Sequence, residues 1–176
     1  MKKLIFLSLL LKLNFNSEAQ TTFQKTYGAG TPYFIKQKIN NNFIITGRPG
    51  FLLKVDQDGN NLWHKNYATT AGGADISSVE QTSDGGYILA GTLKPGFLDS
   101  KILLLKTDSN GNFQWAKIFG GTNWEIGNSA KITPDGGYII VGYSASFGPV
   151  IDGYLVKTDN NGNLQWSINY RINSCL

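Results

Sequence analysis

The sequence predicts an all-β fold of repeated four-stranded antiparallel meanders, and three observations carry that prediction. The first is a phrase that occurs three times: Leu53 to Trp63 (LKVDQDGNNLW), Leu105 to Trp115 (LKTDSNGNFQW) and Val156 to Trp166 (VKTDNNGNLQW). Its aspartates, Asp56, Asp108 and Asp159, stand 52 and 51 residues apart, a period that belongs to repeat architectures such as propeller blades. The second is another phrase at the same period, Ser83 to Gly91 (SDGGYILAG) returning as Pro134 to Gly142 (PDGGYIIVG). The third is composition: 21 glycines with ten Phe, eight Tyr and four Trp among 176 residues, which describes many short strands joined by tight turns.

Taken in order, the chain begins with a segment that does not belong to the repeats. Met1-Lys2-Lys3 is a positive n-region, Leu4 to Leu11 an apolar run, and Ser17-Glu18-Ala19 a small-x-small cleavage site, so residues 1–19 read as a secretory signal peptide. Lys12 interrupts the apolar run, which is too short and broken for a membrane anchor. Without that segment, 13 basic and 11 acidic residues remain and the net charge falls from +4 to +2. The remaining Lys and Arg are scattered along the repeats rather than gathered in a stripe, and a nucleic-acid partner is not expected. The lone cysteine, Cys175, has no partner for an intramolecular disulfide.

Residues 20–176 form the repeat region, with blades expected at about Tyr33 to Tyr67, Ile76 to Ile118 and Asn128 to Tyr170. In the third copy four β-prone runs, Asn128 to Thr133, Gly137 to Tyr143, Gly153 to Thr158 and Asn163 to Tyr170, are separated by turn signals. Pro134-Asp135-Gly136-Gly137 and Asp159-Asn160-Asn161-Gly162 supply residues that tolerate positive φ. The first copy is shorter and carries Asn41-Asn42-Phe43 in place of Asp-Gly-Gly-Tyr. Consecutive apolar positions in Ile102 to Leu105 and Tyr138 to Val141 require both sheet faces to be covered, as stacked blades do. Trp63, Trp115 and Trp166 recur at one position, four residues after the turn glycine, and are expected to pack between blades.

These residues resemble a known group, the bacterial β-propeller repeat of the seven-bladed type found in exported and surface proteins. The resemblance rests on Gly120-Gly121-Thr122-Asn123-Trp124-Glu125, on Asp135 to Ser144, and on the Lys-Thr-Asp-x-x-Gly-Asn-x-x-Trp phrase, and it covers roughly residues 21–171. It implies a propeller fold and no particular activity. The Asp-x-x-Gly-x-x-x-Trp spacing also resembles the tryptophan-docking motif of quinoprotein-like propellers with one residue fewer between Asp and Gly, and no cofactor residue carries over. Three blades do not close a ring. A longer repeat protein is expected to supply further blades, with self-association of the chain as the alternative.

Chemistry-bearing residues are few. His64 is the lone histidine and reads as a strand-surface residue, with no nucleophile patterned beside it. Asp56-x-Asp58-x-Asn60, Asp108-x-Asn110-x-Asn112 and Asp159-x-Asn161-x-Asn163 mimic the first half of a calcium loop, but the glycine at its sixth position and the glutamate at its twelfth are missing. Ordinary turn chemistry is the expected role of Asp56, Asp58, Asp108, Asn110, Asp159 and Asn161, with calcium the alternative. Lys54, Lys106 and Lys157, two residues before the turn aspartates, are expected on the same strand side as those aspartates, in solvated ion pairs. Residues that differ between copies are the binding candidates: the loops Lys94 to Ser100 and Ser144 to Asp152, with Phe97, Asp99, Phe147 and Asp152. The function expected is an exported, non-enzymatic structural or interaction module with no catalytic residues and no cofactor, partnered by a protein or glycan. The alternatives are a calcium-stabilised adhesion module, or part of a propeller hydrolase or quinoprotein-like oxidoreductase whose catalytic residues lie outside this chain.

Overall fold

In the computed structural model, which describes residues 25–28, 30–37, 41–67, 73–94 and 99–171, twelve strands form three four-stranded antiparallel sheets in simple meander order. Blade 1 holds β1 (Thr31–Gln37), β2 (Phe43–Arg48), β3 (Phe51–Val55) and β4 (Asn61–Asn66). Blade 2 holds β5 (Gly73–Gln81), β6 (Tyr87–Lys94), β7 (Lys101–Thr107) and β8 (Phe113–Phe119). Blade 3 holds β9 (Glu125–Ile132), β10 (Tyr138–Ser144), β11 (Asp152–Thr158) and β12 (Leu164–Tyr170). The blades stack face to face and the arrangement is not closed. Residues 1–19, expected from the sequence to be a signal peptide, together with Phe97 and Cys175 lie outside the described residues.

Blades 2 and 3 begin three residues earlier than the sequence pattern indicates, and blade 1 two. The cause is a β-bulge in each first strand: the registers of β1, β5 and β9 skip Tyr33, Ser77 and Asn128. An extra residue flips the side-chain alternation, so the strand continues although its pattern breaks.

Packing explains the consecutive apolar residues of the middle blade. Leu103 and Leu105 join Ile44, Leu52, Ile76 and Leu89 between blades 1 and 2, while Ile102 and Leu104 turn the other way to meet Ile140, Tyr154 and Val156 of blade 3. Each face is a core. Blade 3 has only one such face, since Val141 and Tyr143 are 45% and 48% exposed, which corrects the expectation that Tyr138 to Val141 is covered on both sides.

The turn phrase is a hairpin clamp in all three copies. The Asp56 carboxylate accepts the Asp58 N–H at 2.9 Å, the Asn60 N–H at 2.8 Å and the Asn60 amide Nδ2 at 2.8 Å. Asp108 and Asp159 do the same with Asn110, Asn112, Asn161 and Asn163. Backbone and side-chain hydrogen bonds from Asn60, Asn112 and Asn163 hold Asp56, Asp108 and Asp159 below their ordinary range. The carboxylate oxygens thus face N–H donors, the arrangement of an Asx turn.

The expected pairing of the phrase lysines with these aspartates is overturned. Lys106 reaches instead to Asp84, 22 residues upstream, at 2.9 Å, and also donates to the Thr107 carbonyl at 2.9 Å and the Gln114 amide oxygen at 3.2 Å. Lys157 repeats this with Asp135, Thr158 and Gln165 at 2.8, 2.9 and 3.0 Å. The reason is a second bulge, because the registers of β8 and β12 skip Gln114 and Gln165 and swing those amides toward the lysine. Both lysines are buried, so every amine proton needs an acceptor. In blade 1 the equivalent stretch Asn40 to Asn42 has no aspartate and Leu62 replaces the glutamine, and Lys54 lies 5.9 Å from the centroid of the Trp63 ring.

Replacing Lys106 by Met keeps the volume but strands Gln114 and the Thr107 carbonyl. Denaturant unfolding should show a loss of about 1–3 kcal/mol, against under about 1 kcal/mol for Lys54→Met. Hydrogen bonds from Thr82 and then Lys106 lower the Asp84 carboxyl from 3.8 to about 2. A depressed aspartate stabilises the fold fully above its unfolded value and loses that contribution as pH falls through the folded one. Stability should therefore decline as the pH drops from about 4 to about 2, and Asp84→Asn should flatten that part of the curve.

Candidate functional site

Inter-blade contact is where the repeated tryptophans act. The Trp63 ring meets Tyr87 of the next blade edge-on, centroids 6.0 Å apart at 68°, and Trp115 meets Tyr138 at 6.1 Å. Each ring also rests on the turn glycine of the next blade: a Cβ on Gly111 would lie 2.9 Å from the Trp63 ring, and one on Gly162 would lie 2.7 Å from Trp115. These glycines have φ of +74° and +75°, so backbone conformation and space both favour glycine. Trp166, against which no blade packs among the described residues, is 41% exposed.

On the inner strands, one position carries charge of alternating sign. Lys36 of β1, Glu80 of β5 and Lys131 of β9 each lie four residues before the position held by Asn40, Asp84 and Asp135 in sequence, and Glu80 is bridged by both lysines. Burial pushes the Glu80 carboxyl up, but hydrogen bonds from Lys131 and Lys36 more than offset it and hold it below its ordinary range. This triplet was missed in the sequence, although alignment on Asn40, Asp84 and Asp135 places all three in register.

Beside it opens a cleft of about 940 Å³, lined by Lys36 and Glu80, the amides of Gln81, Gln114 and Asn161, and the rings of Trp115 and Tyr138. The turn residue Asn161 is thereby brought to the cleft, whereas Asp56 and Asp58 are not part of its lining. Among the described residues no group of three or more His, Cys, Asp or Glu is placed to hold a metal ion.

The loop candidates diverge. Phe147 is half exposed, with its ring 5.1 Å from Tyr154. Asp152 opens β11, is buried, and faces Arg171 at 3.4 Å. Asp99 is exposed and pairs with Lys101. Lys101 in turn lies 3.5 Å from the fully buried Glu125, whose other oxygen accepts from Ser144 and Ser146. The Gly-Gly-Thr-Asn-Trp-Glu phrase thus ends in a carboxylate that ties the blade 2 to blade 3 connection. His64 is exposed on β4, its ring 6.0 Å from Phe51.

No protein-family model matches the chain, and no curated protein is significantly similar to it.

Trp115→Ala should cost about 3 kcal/mol by denaturant unfolding, since it empties a blade interface. Trp166→Ala should cost under about 1 kcal/mol. Equal losses at the two positions would contradict the inter-blade role.

Proposed function

We propose that the chain is an exported, non-enzymatic β-propeller repeat module that binds a protein or glycan. The observation that supports this most is the division of labour among its polar residues. Those that recur in each full copy, the turn aspartates and asparagines, Asp84 and Asp135, Lys106 and Lys157, are engaged within their own blades. Asp84 and Lys106 reach the cleft already paired with each other, and the rest of its lining includes amides, a bridged Lys36 to Glu80 pair and aromatic rings. That set donates and accepts hydrogen bonds beside apolar rings, the chemistry with which a protein recognises hydroxyl-rich or amide-rich ligands.

The exported character follows from the Met1 to Ala19 pattern, and kinship with the bacterial surface propeller repeats follows from the phrases that resemble them. The test is titration of the purified chain with a panel of neutral and acidic oligosaccharides, followed by tryptophan fluorescence because Trp115 lines the cleft. At least one sugar should give saturable quenching, weakened about tenfold or more by Gln81→Ala or Asn161→Ala. Chemical turnover of the sugars, or no saturable response across the panel, would count against this reading.

A further inference from the structure

We infer that the cleft beside Glu80 takes an acetamido sugar, a neutral saccharide ring carrying one secondary amide, and that Gln81 and Gln114 read that amide. The inference rests on the reading of the cleft as a ligand site and names its ligand class. Both residues line the cleft with exposed side chains, and each has one end of its amide committed. Gln114 accepts from the Lys106 ammonium through Oε1 at 3.2 Å. Gln81 donates through Nε2 to the Gly85 carbonyl at 3.1 Å. An ammonium can only donate and a carbonyl can only accept, so chemistry fixes which way each amide points. Gln114 keeps its NH2 as a donor to the cleft, and Gln81 keeps its Oε1 as an acceptor.

The two ends belong to one place. Lys106 ties Gln114 to Asp84 at 2.9 Å, and the next residue, Gly85, holds Gln81. A donor and an acceptor thus sit one contact away from the same Asp84-Gly85 segment, which itself lines the cleft. A secondary amide offers the complement, a carbonyl that accepts and an N–H that donates, carried on two atoms facing opposite ways. The partly buried Trp115 ring lines the same cleft and gives the C–H face of a sugar, or its acetyl methyl, an apolar surface. Charge selects a neutral ligand. The lining residues Lys36 and Glu80 pair with each other, as do Lys106 and Asp84, so a charged ligand group would have to displace a partner already in place.

Comparison of the copies explains why the site forms once. Gln81 lies three residues before Asp84, and Gln114 one before Trp115. The equivalent positions hold Gln37 and Leu62 in blade 1, and Ile132 and Gln165 in blade 3. Of the three copies, blade 2 alone has both amides. A peptide presents an amide at every residue and would be held best by a row of such pairs. A single pair beside an indole ring suits a ligand that carries its amide once on each ring.

Calorimetric titration of the intact chain with β-1,4-linked trimers of N-acetylglucosamine, glucose and glucosamine tests this. The acetylated trimer should bind at least about tenfold more tightly than the other two. Gln114→Glu keeps the oxygen that Lys106 needs but replaces the free donor by an acceptor. It should weaken the acetylated trimer about tenfold and shift the glucose trimer by no more than about twofold. Gln165→Glu, whose residue makes the same lysine contact at 3.0 Å in blade 3, should change neither.

A glucose trimer that binds as tightly as the acetylated one would overturn the inference and leave the cleft a ligand site. A capped tripeptide that displaces the acetylated trimer at equal affinity would do the same. Absence of saturable binding by all three sugars would remove the ligand-site reading and this inference with it. If Gln114→Glu does not fold, the comparison of the three sugars on the unaltered chain decides.

Discussion

A blade has two apolar faces, and covering both is the constraint on which the rest of this structure depends. The repeat meets it with one contact made twice. A tryptophan on the outer strand of one blade lies against the tyrosine and the turn glycine of the next, Trp63 on Tyr87 and Gly111, Trp115 on Tyr138 and Gly162. The glycine is required because the ring lies where a Cβ would be, and the turn that carries it is held by an aspartate whose oxygens take three N–H donors. Turn chemistry and inter-blade packing are therefore one device, since the turn sets the floor on which the neighbour's ring sits.

A second device works inside each full blade. The Asp-Gly-Gly turn and the Lys-Thr-Asp phrase are far apart in sequence, yet Lys106 joins them at Asp84 and Lys157 at Asp135. A buried ammonium of this kind carries a large desolvation cost, and the blade offsets it with a carboxylate, a carbonyl and an amide brought in by a bulge. The half-exposed carboxylate keeps part of its hydration, so the lock fixes the register of the inner and outer hairpins without burying both charges. Among the described residues of blade 1 no such lock is seen, and the blade is flanked by Tyr27, whose ring packs with Phe43 and Ile45 against Phe51, Leu53 and Val55.

The periodicity carried much of this in the sequence. Twelve strands, their meander order and the role of Trp63 and Trp115 follow from two phrases and their spacing, because turn residues and apolar runs are local signals. Contacts set by bulges were not legible. An extra residue at Gln114 leaves no mark on composition but decides that Lys106 faces Asp84 rather than the nearer Asp108. The same holds for Tyr33, Ser77 and Asn128, which hide the true starts of the first strands. The charged triplet Lys36, Glu80 and Lys131 was hidden for another reason, since its members differ in identity from copy to copy and a search for repeated residues passes over them. Of the loop candidates, Phe147 stays at the surface while Asp152 turns inward to Arg171, a difference that depends on how the loop folds back.

If face coverage governs stability, protection should be graded from blade to blade. Blade 2 is covered on both sides by cores that meet at β6 and β7, whereas blade 3 has one open face. Hydrogen exchange of the intact chain, read strand by strand, tests this directly. The slowest amides should lie in β6 and β7, with β10 and β11 exchanging measurably faster although their backbone ladders are equally complete. Uniform protection across the three sheets, or slowest exchange in blade 3, would contradict the account.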